Sequence, residues 1–600
     1  MSQERPSPPA LSPELREVAR GSVLNVFAMI LGAVLGFLLT VVISRWLQPR
    51  NAGAFFELMA IFSILSYTLM LGADTGLTRW ISRARAIGGL TEVRRILVIA
   101  LGPVLLTGIL AAGIMWVLAP EIAHTLLHGM ATSDAEIDVR IVAPLVPLGA
   151  MSACILAALR AYGLMWPYLA IEGLGKPIAR LGLVLAAIFL GLKLRGTVAG
   201  WSLPVALGLL AAWFILARLM RAESPSARHR SSSRRATTAP AVVAAPAPAR
   251  RPVRAETAPD ATLPLPDLPF SLTYFAPASE GRKPTARQVR RGEDLGRHRI
   301  SNAEAVSTRG LAGEFWRFAG PRGFAGTFQI VVVWLDILLV GALLSRYAAG
   351  VYGAVSKLAM VGNFALEGTR LAIGPQLSQL LARRELNRTA ELYQSATRWL
   401  MMVAWPGYLI FAIFPTVALG IFGHSYASGA SSLVVLSVAM LVSLGTGNVS
   451  VVLLMGGKSS WNVINTLGAL TVNIVLNLTL MPHIGILGAA IAWAASIVLD
   501  NVAAVIEVWL LLGLRPFGPG YGLVVAATCG CFGLAGLAAR HFLGESLVSM
   551  IVAATAGLAA FALIAYLQRV RLQLAGIASL LPGRPAPMAR QADHEAAGAA

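Results

Sequence analysis

Arg322, Gln329 and Asp336 recur at seven-residue intervals inside an apolar run. At about 100° per residue, that spacing sets a fixed cation, an amide and a carboxylate on one stripe of a helix. Three more runs carry polar stripes: Ser356, Asn363, Glu367 and Arg370; Ser63, Tyr67 and Asp74; and Ser22, Asn25 and Thr40 beside Gly32 and Gly36. An ionised group at mid-membrane costs about 2.5 to 3.5 kcal/mol on insertion scales, so Asp336 requires a partner, a water-filled cavity or a proton. Two chemistries fit these side chains. Asp336, with Asp74 or Glu367, offers a carboxyl that takes up H+ or Na+. Arg20, Arg79, Arg317, Arg322 and Arg370 offer guanidiniums whose paired donors and permanent charge suit a phosphate or diphosphate, while Asn25, Gln329 and Asn363 offer amides to hydroxyl-rich cargo. Structural readings stand beside these: Asp336 as an ion pair between helix bundles, and Glu367 with Arg370 or Asp74 with Arg79 as local pairs.

The elements that must hold these residues are long apolar stretches. Fourteen of them, over 21–43, 54–77, 96–119, 141–161, 168–192, 197–219, 324–344, 351–374, 399–422, 431–456, 461–481, 486–512, 521–540 and 546–567, are each about 20 residues or more, long enough to span hydrocarbon as helices. Basic residues crowd alternate gaps. Arg5, Arg16 and Arg20 precede the first run; Arg79, Arg83, Arg85, Arg94 and Arg95 follow the second; Arg370, Arg383, Arg384, Arg388 and Arg398 follow the eighth, and Arg569, Arg571, Arg584 and Arg590 the last. The intervening gaps hold few. The bias of basic residues toward the cytoplasm then predicts that both termini are cytoplasmic, as an even number of crossings requires.

Two runs carry further polar features. Glu172-Gly-Leu-Gly-Lys-Pro177 places Glu172 and Lys176 one turn apart and adds glycines and Pro177 that bend or unwind a helix. This predicts either a broken helix exposing backbone to a cavity or a kink beside a neutralised pair. Asn462, Thr466, Asn473 and Asn477 predict a second polar face, suited to hydrogen bonding between helices. Asp500 and Glu507 repeat at heptad spacing on the next run. Gly32-x-x-x-Gly36 reads as close helix packing.

Composition excludes other classes. The chain has 600 residues, 56% hydrophobic and 13% charged, a balance outside that of a soluble globular protein. A net charge of +20 would suggest nucleic acid in a soluble chain, but the basic residues spread along one face, where anionic lipid headgroups attract them. No nucleic-acid partner is expected. Cys154, Cys529 and Cys531 fall in apolar runs without metal-ligand spacing, so neither a disulfide framework nor a metal site is expected. His124 and His128 sit in the largest outward loop among acids and read as solvated loop. No nucleotide-binding loop or nucleophile triad stands out; the chain is not expected to be an enzyme and needs no cofactor beyond a coupling ion. The first run is too long for a signal-peptide core and is expected to stay as an anchor.

The expected organisation is a segment 1–20, a six-helix bundle over 21–221, an insert over 222–312, a second six-helix bundle over 313–514, a helix pair over 515–568 and a tail over 569–600. The insert turns abruptly to Pro, Ala, Arg and Ser, a composition that buries too little apolar surface to offset ordering entropy, so disorder is expected. It reads as a tether near acidic lipid, or as a regulatory segment released when Ser231, Ser232, Ser233 or Thr237 is phosphorylated among arginines. The bundles carry traces of a repeat: Ser44-Arg45-Trp46 ends the first run and Ser345-Arg346-Tyr347 the seventh, each followed by a glycine-containing turn.

Ser44-Arg-Trp-Leu followed by Ala52-Gly-Ala-Phe, Asp74-x-Gly-Leu at the end of the second run, and Trp334-x-Asp336 in the seventh resemble the lipid-linked oligosaccharide flippases of the multidrug/oligosaccharidyl-lipid/polysaccharide exporter superfamily. The resemblance implies an all-α polytopic membrane protein of about 14 transmembrane helices: two six-helix bundles in a V shape plus two C-terminal helices. Its cavity would be lined by helices one, two, seven and eight and open alternately to either side. It also implies the cargo, a polyprenyl-diphosphate-linked oligosaccharide carried from inner to outer leaflet of a bacterial cytoplasmic membrane. The expected partners are membrane lipids and a polysaccharide polymerase or glycosyltransferases. A multidrug cation antiporter, a peptidoglycan lipid-precursor flippase, a membrane glycan polymerase or ligase, and a scaffold remain the alternatives. The insert is far longer than the usual link between bundles.

Overall fold

A computed structural model describes residues 13–87, 90–126, 132–222 and 308–568; the side chains of residues 13–30 fall outside that description. Its elements are helices, with no strand among the described residues. Hydrocarbon cannot satisfy backbone N–H and C=O groups, and a helix satisfies them within one segment. Side chains such as Leu106, Phe189 and Phe214 stand exposed on the surface, as a protein solvated by lipid requires.

The first half comprises α1 (Pro13–Leu69), α2 (Ala73–Ile87), α3 (Leu90–Val117), the short α4 (Ala119–Leu126) and α5 (Thr132–Val142), α6 (Leu145–Ala161), α7 (Lys176–Phe189) and α8 (Leu194–Ala222). The second comprises α9 (Thr308–Leu343), α10 (Arg346–Ala359), α11 (Val361–Ala382), α12 (Leu386–Ile413), α13 (Pro415–Gly420), α14 (Ala430–Gly445), α15 (Val449–Met455), α16 (Ser459–Ile484) and α17 (Ile486–Leu512). Then come α18 (Tyr521–Thr528), α19 (Ala535–Leu543) and α20 (Leu547–Leu567). The helices up to Leu219 and from Glu314 onward form one compact unit. At the edges of the insert, α8 runs on to Ala222 and α9 begins at Thr308, inside the stretch allotted to the insert. Ser231, Ser232, Ser233 and Thr237 lie outside the described residues.

Eleven stretches among the described residues are long and apolar enough to cross a membrane, against fourteen apolar runs in the sequence. Three differences account for this. Leu31–Arg85 holds two runs in one continuous stretch, divided at Gln48, whose φ of 58° and ψ of 167° turn the chain just before Pro49. The run 168–192 is interrupted by a π-helix, Leu169–Gly175, ahead of α7. The run 351–374 is split between α10 and α11 at Met360.

The halves meet closely at two corners, the one at Gln48–Gly53 and the one leading into α10. A Cβ on Gly53 would lie 1.9 Å from the Arg346 carbonyl oxygen and 2.9 Å from the Gly350 nitrogen. A Cβ on Gly350 would lie 1.9 Å from the Pro49 carbonyl oxygen and 3.0 Å from the Gly53 nitrogen. Arg346 stands four residues before Gly350 as Pro49 stands four before Gly53, so the contact is reciprocal. The contact pairs Gly53 with Gly350, a register offset by a few residues from the Ser-Arg-aromatic match. Around this crossing the Tyr426 hydroxyl donates to the Ser44 carbonyl (2.9 Å), Arg45 Nε to the Ile421 carbonyl (2.7 Å), and the Tyr347 hydroxyl to the Ser425 carbonyl (2.7 Å).

Candidate functional site

At the end of the molecule away from that junction, α2 and α9 bring two of the expected arginines onto one ring. The Arg79 guanidinium lies 4.2 Å and that of Arg322 3.8 Å from the centroid of Phe318. Arg322 Nη1 also donates to the Phe318 carbonyl at 3.0 Å, which fixes the side chain along its own helix. Both arginines are exposed, as is Arg317 one residue before the ring. Backbone contacts explain how the two helices approach: a Cβ on Gly323 would lie 2.3 Å from the Leu71 carbonyl carbon, and one on Gly76 2.5 Å from Phe315. Arg79 lies on the ring rather than on Asp74, which sits half-buried in the first turn of α2, where a carboxylate meets the positive end of the helix dipole. Gln329 and Asn363 are exposed. Arg370 and Glu367 pair with each other at 3.4 Å on the exposed side of α11, the local arrangement that competed with their functional reading. The side chains of Arg20 and Asn25 are outside the described residues.

Asp336 leaves that exposed stripe. It is 2% exposed, and both carboxylate oxygens are engaged: the Tyr352 hydroxyl donates to Oδ2 at 2.9 Å and Asn477 Nδ2 to Oδ1 at 2.7 Å. Asn477 Nδ2 also reaches Asn473 Oδ1 at 3.1 Å. The polar face on α16 is thus where the carboxylate of α9 is held. Among the described residues no ion pair between bundles forms at Asp336; its partners are neutral donors from α10 and α16. Asn465, not Asn462, is the buried amide nearer the start of α16, and it donates to Glu507 at 2.8 Å.

Glu172 and Lys176 pair at 2.5 Å across the π-helix, with Lys176 also within 3.3 Å of the Ser152 hydroxyl. Pro177 opens α7 immediately after, where a missing N–H is tolerated. The wider π-turn places the Gly173 carbonyl against Gly32 of α1, so a Cβ on Gly32 would lie 2.3 Å from that oxygen. The backbone of the break is packed against α1, and the charge beside it is neutralised.

Glu57 was not singled out from sequence. It is fully buried on α1, at the corner junction, and neither carboxylate oxygen has a hydrogen-bond partner. Oε1 rests on α9 where a Cβ on Gly341 would stand 1.9 Å away. Arg346 is the charged group that acts on it. The signal was an acid near the start of the run 54–77, far from Asp74 at its other end and among apolar neighbours, the kind of residue that marks function in a membrane span. An apolar groove of about 490 Å³ lies elsewhere, between α12, α14, α17 and α18, bordered by Trp405, Val442, Ile506 and Tyr521.

Residues 25–183 match the MatE family model. Two proteins of Haloferax volcanii are similar to part of the chain. "Probable low-salt glycan biosynthesis flippase Agl15" is 22% identical over 178 residues, 28% of this chain and 36% of that protein. "Probable flippase AglR" is 28% identical over 188 residues, 29% of this chain and 37% of that protein. The chain therefore spans little more than a third of the length of these relatives. Among solved structures, the lipid II flippase MurJ in an inward closed conformation superposes with a TM-score of 0.61 at 11% identity, covering 91% of this chain and 99% of MurJ. An inward-facing multidrug resistance MATE family transporter of the MOP superfamily gives 0.54 at 12% identity, covering 82% of this chain and 95% of that one. At such identities these matches speak for the fold: an all-α membrane protein with the architecture of the MOP superfamily.

Proposed function

We propose that the protein is a flippase that carries a polyprenyl-diphosphate-linked oligosaccharide from the inner to the outer leaflet by alternating access. The observation that carries this reading is the pair Arg79 and Arg322, one from each half of the chain, sharing the Phe318 ring. A diphosphate carries charge and several acceptor oxygens, and two guanidiniums held near each other bind it through charge-assisted hydrogen bonds. Because one arginine belongs to α2 and the other to α9, a headgroup bound there touches both halves and biases how they move. Arg317 adds charge beside the ring, and Gln329 and Asn363 supply amides for sugar hydroxyls. The MatE match and the resemblance to two glycan flippases support the same class.

In this reading the termini are cytoplasmic, the arginine pair faces the cytoplasm, and the corner junction faces outward. Asp336 takes up the coupling ion, H+ or Na+. Its cage of Tyr352, Asn473 and Asn477 supplies hydroxyl and amide groups that accommodate either. The test is reconstitution in liposomes with a fluorescent polyprenyl-diphosphate oligosaccharide under imposed proton and sodium gradients. Flipping is expected to fall at least tenfold in an Arg79→Gln/Arg322→Gln double variant, matching the loss of charge-assisted bonds worth roughly 1.5 to 3 kcal/mol each. Undiminished flipping by that variant would refute the diphosphate site.

A further inference from the structure

The corner junction holds a group that the transport reading leaves unused. Glu57 has no exposure, both oxygens lack a hydrogen-bond partner, and α9 meets it with Gly341, where any side chain would collide. A carboxylate stripped of water and of donors is strongly disfavoured, whereas the neutral acid is tolerated. The charged surroundings are few. Arg346, at the start of α10, acts on Glu57 without hydrogen-bonding to it, and Arg50 acts in turn on Arg346. Asp336, on α9 before Gly341, is already held by Tyr352 and Asn477. Parting α1 from α9 and α10 would admit water to Glu57 and leave Arg346 beside it, two changes that favour the ionised form.

We propose that Glu57 is a proton-binding carboxyl whose neutral form seals the corner junction and whose ionised form holds that junction open. Opening releases one proton to the water on that side, and closing takes one back from it. Acid on that face therefore favours the sealed state. The inference rests on the transport reading only for the sidedness of the junction.

The test uses the full chain in proteoliposomes with Ser44→Cys as reporter. Ser44 is fully buried at the junction, and cysteine is close to its size. Labelling by a membrane-impermeant maleimide is followed against external pH, and each rate is divided by that of the same reporter carrying Glu57→Gln, which cancels the reagent's own pH dependence. The ratio is expected to rise with pH, by up to about tenfold per unit for a single proton. Glu57→Met, a second neutral replacement, is expected to match Glu57→Gln, and Glu57→Asp to keep the slope. A ratio constant with pH, or a slope that survives in Glu57→Met, overturns the proposal. Flipping of the polyprenyl-diphosphate probe is measured in the same vesicles. A pH-dependent ratio without lipid movement would sink the transport reading alone, and lipid movement with a flat ratio would sink this one alone.

Discussion

Asp336 and Glu57 are both acids hidden inside a membrane protein, yet their surroundings are opposite. Asp336 is surrounded by donors, with Tyr352 and Asn477 each committed to one oxygen. Glu57 has none, and leans on the bare backbone of Gly341. Burial alone therefore does not tell what an intramembrane acid does. A carboxylate with a donor on each oxygen is held in place whether it is charged or has taken up an ion, whereas one without donors is stable only neutral and changes when its packing does.

Substitutions that break this contrast should differ in sign. The largest effect is expected from Asn477→Leu, which strips a donor from a buried carboxylate: a loss of about 3 kcal/mol, read as a lowered unfolding temperature in detergent. Adding Asp336→Leu to it should recover part of that loss, because the buried carboxylate goes with its donor, while the Tyr352 hydroxyl is left without its acceptor. Glu57→Met should act in the other direction, raising stability by about 1 to 3 kcal/mol, since an apolar chain of similar length replaces a polar group without partners. A clear drop in unfolding temperature would mean that Glu57 has a partner in the folded protein. The smallest change is expected from Glu367→Gln, where the exposed pair with Arg370 is worth less than about 1 kcal/mol, and its contribution should vanish in high salt.

The class of the molecule was legible because the apolar runs are long and the constraint of lipid on backbone groups is severe. The break at Glu172 to Pro177 was legible in kind, since glycines and a proline beside a one-turn ion pair leave few alternatives, although only coordinates reveal that the freed carbonyl packs on Gly32. Heptad arithmetic went further astray on α9. It aligned Arg322, Gln329 and Asp336 on one stripe, but a stripe has no knowledge of where along its length the surroundings change. The first two stand on the surface, and the third turns into α10 and α16. Tyr352 lies one turn before the Ser356 stripe, and an aromatic residue in an apolar run reads as packing rather than as a donor. Glu57 has no stripe signal, because it shares no period with the Ser63, Tyr67 and Asp74 stripe of its own run.

The crossing of Gly53 and Gly350 bears on why the halves look so unlike one another. This approach is made by peptide groups, and it asks that a side chain be missing from each of the two corners. Nearby, Gly341 against Glu57 and Gly353 against Phe56 carry the same demand, and few other positions do. Two copies of an ancestral bundle can lose almost all shared lettering and still close upon the same axis, so long as those absences are kept.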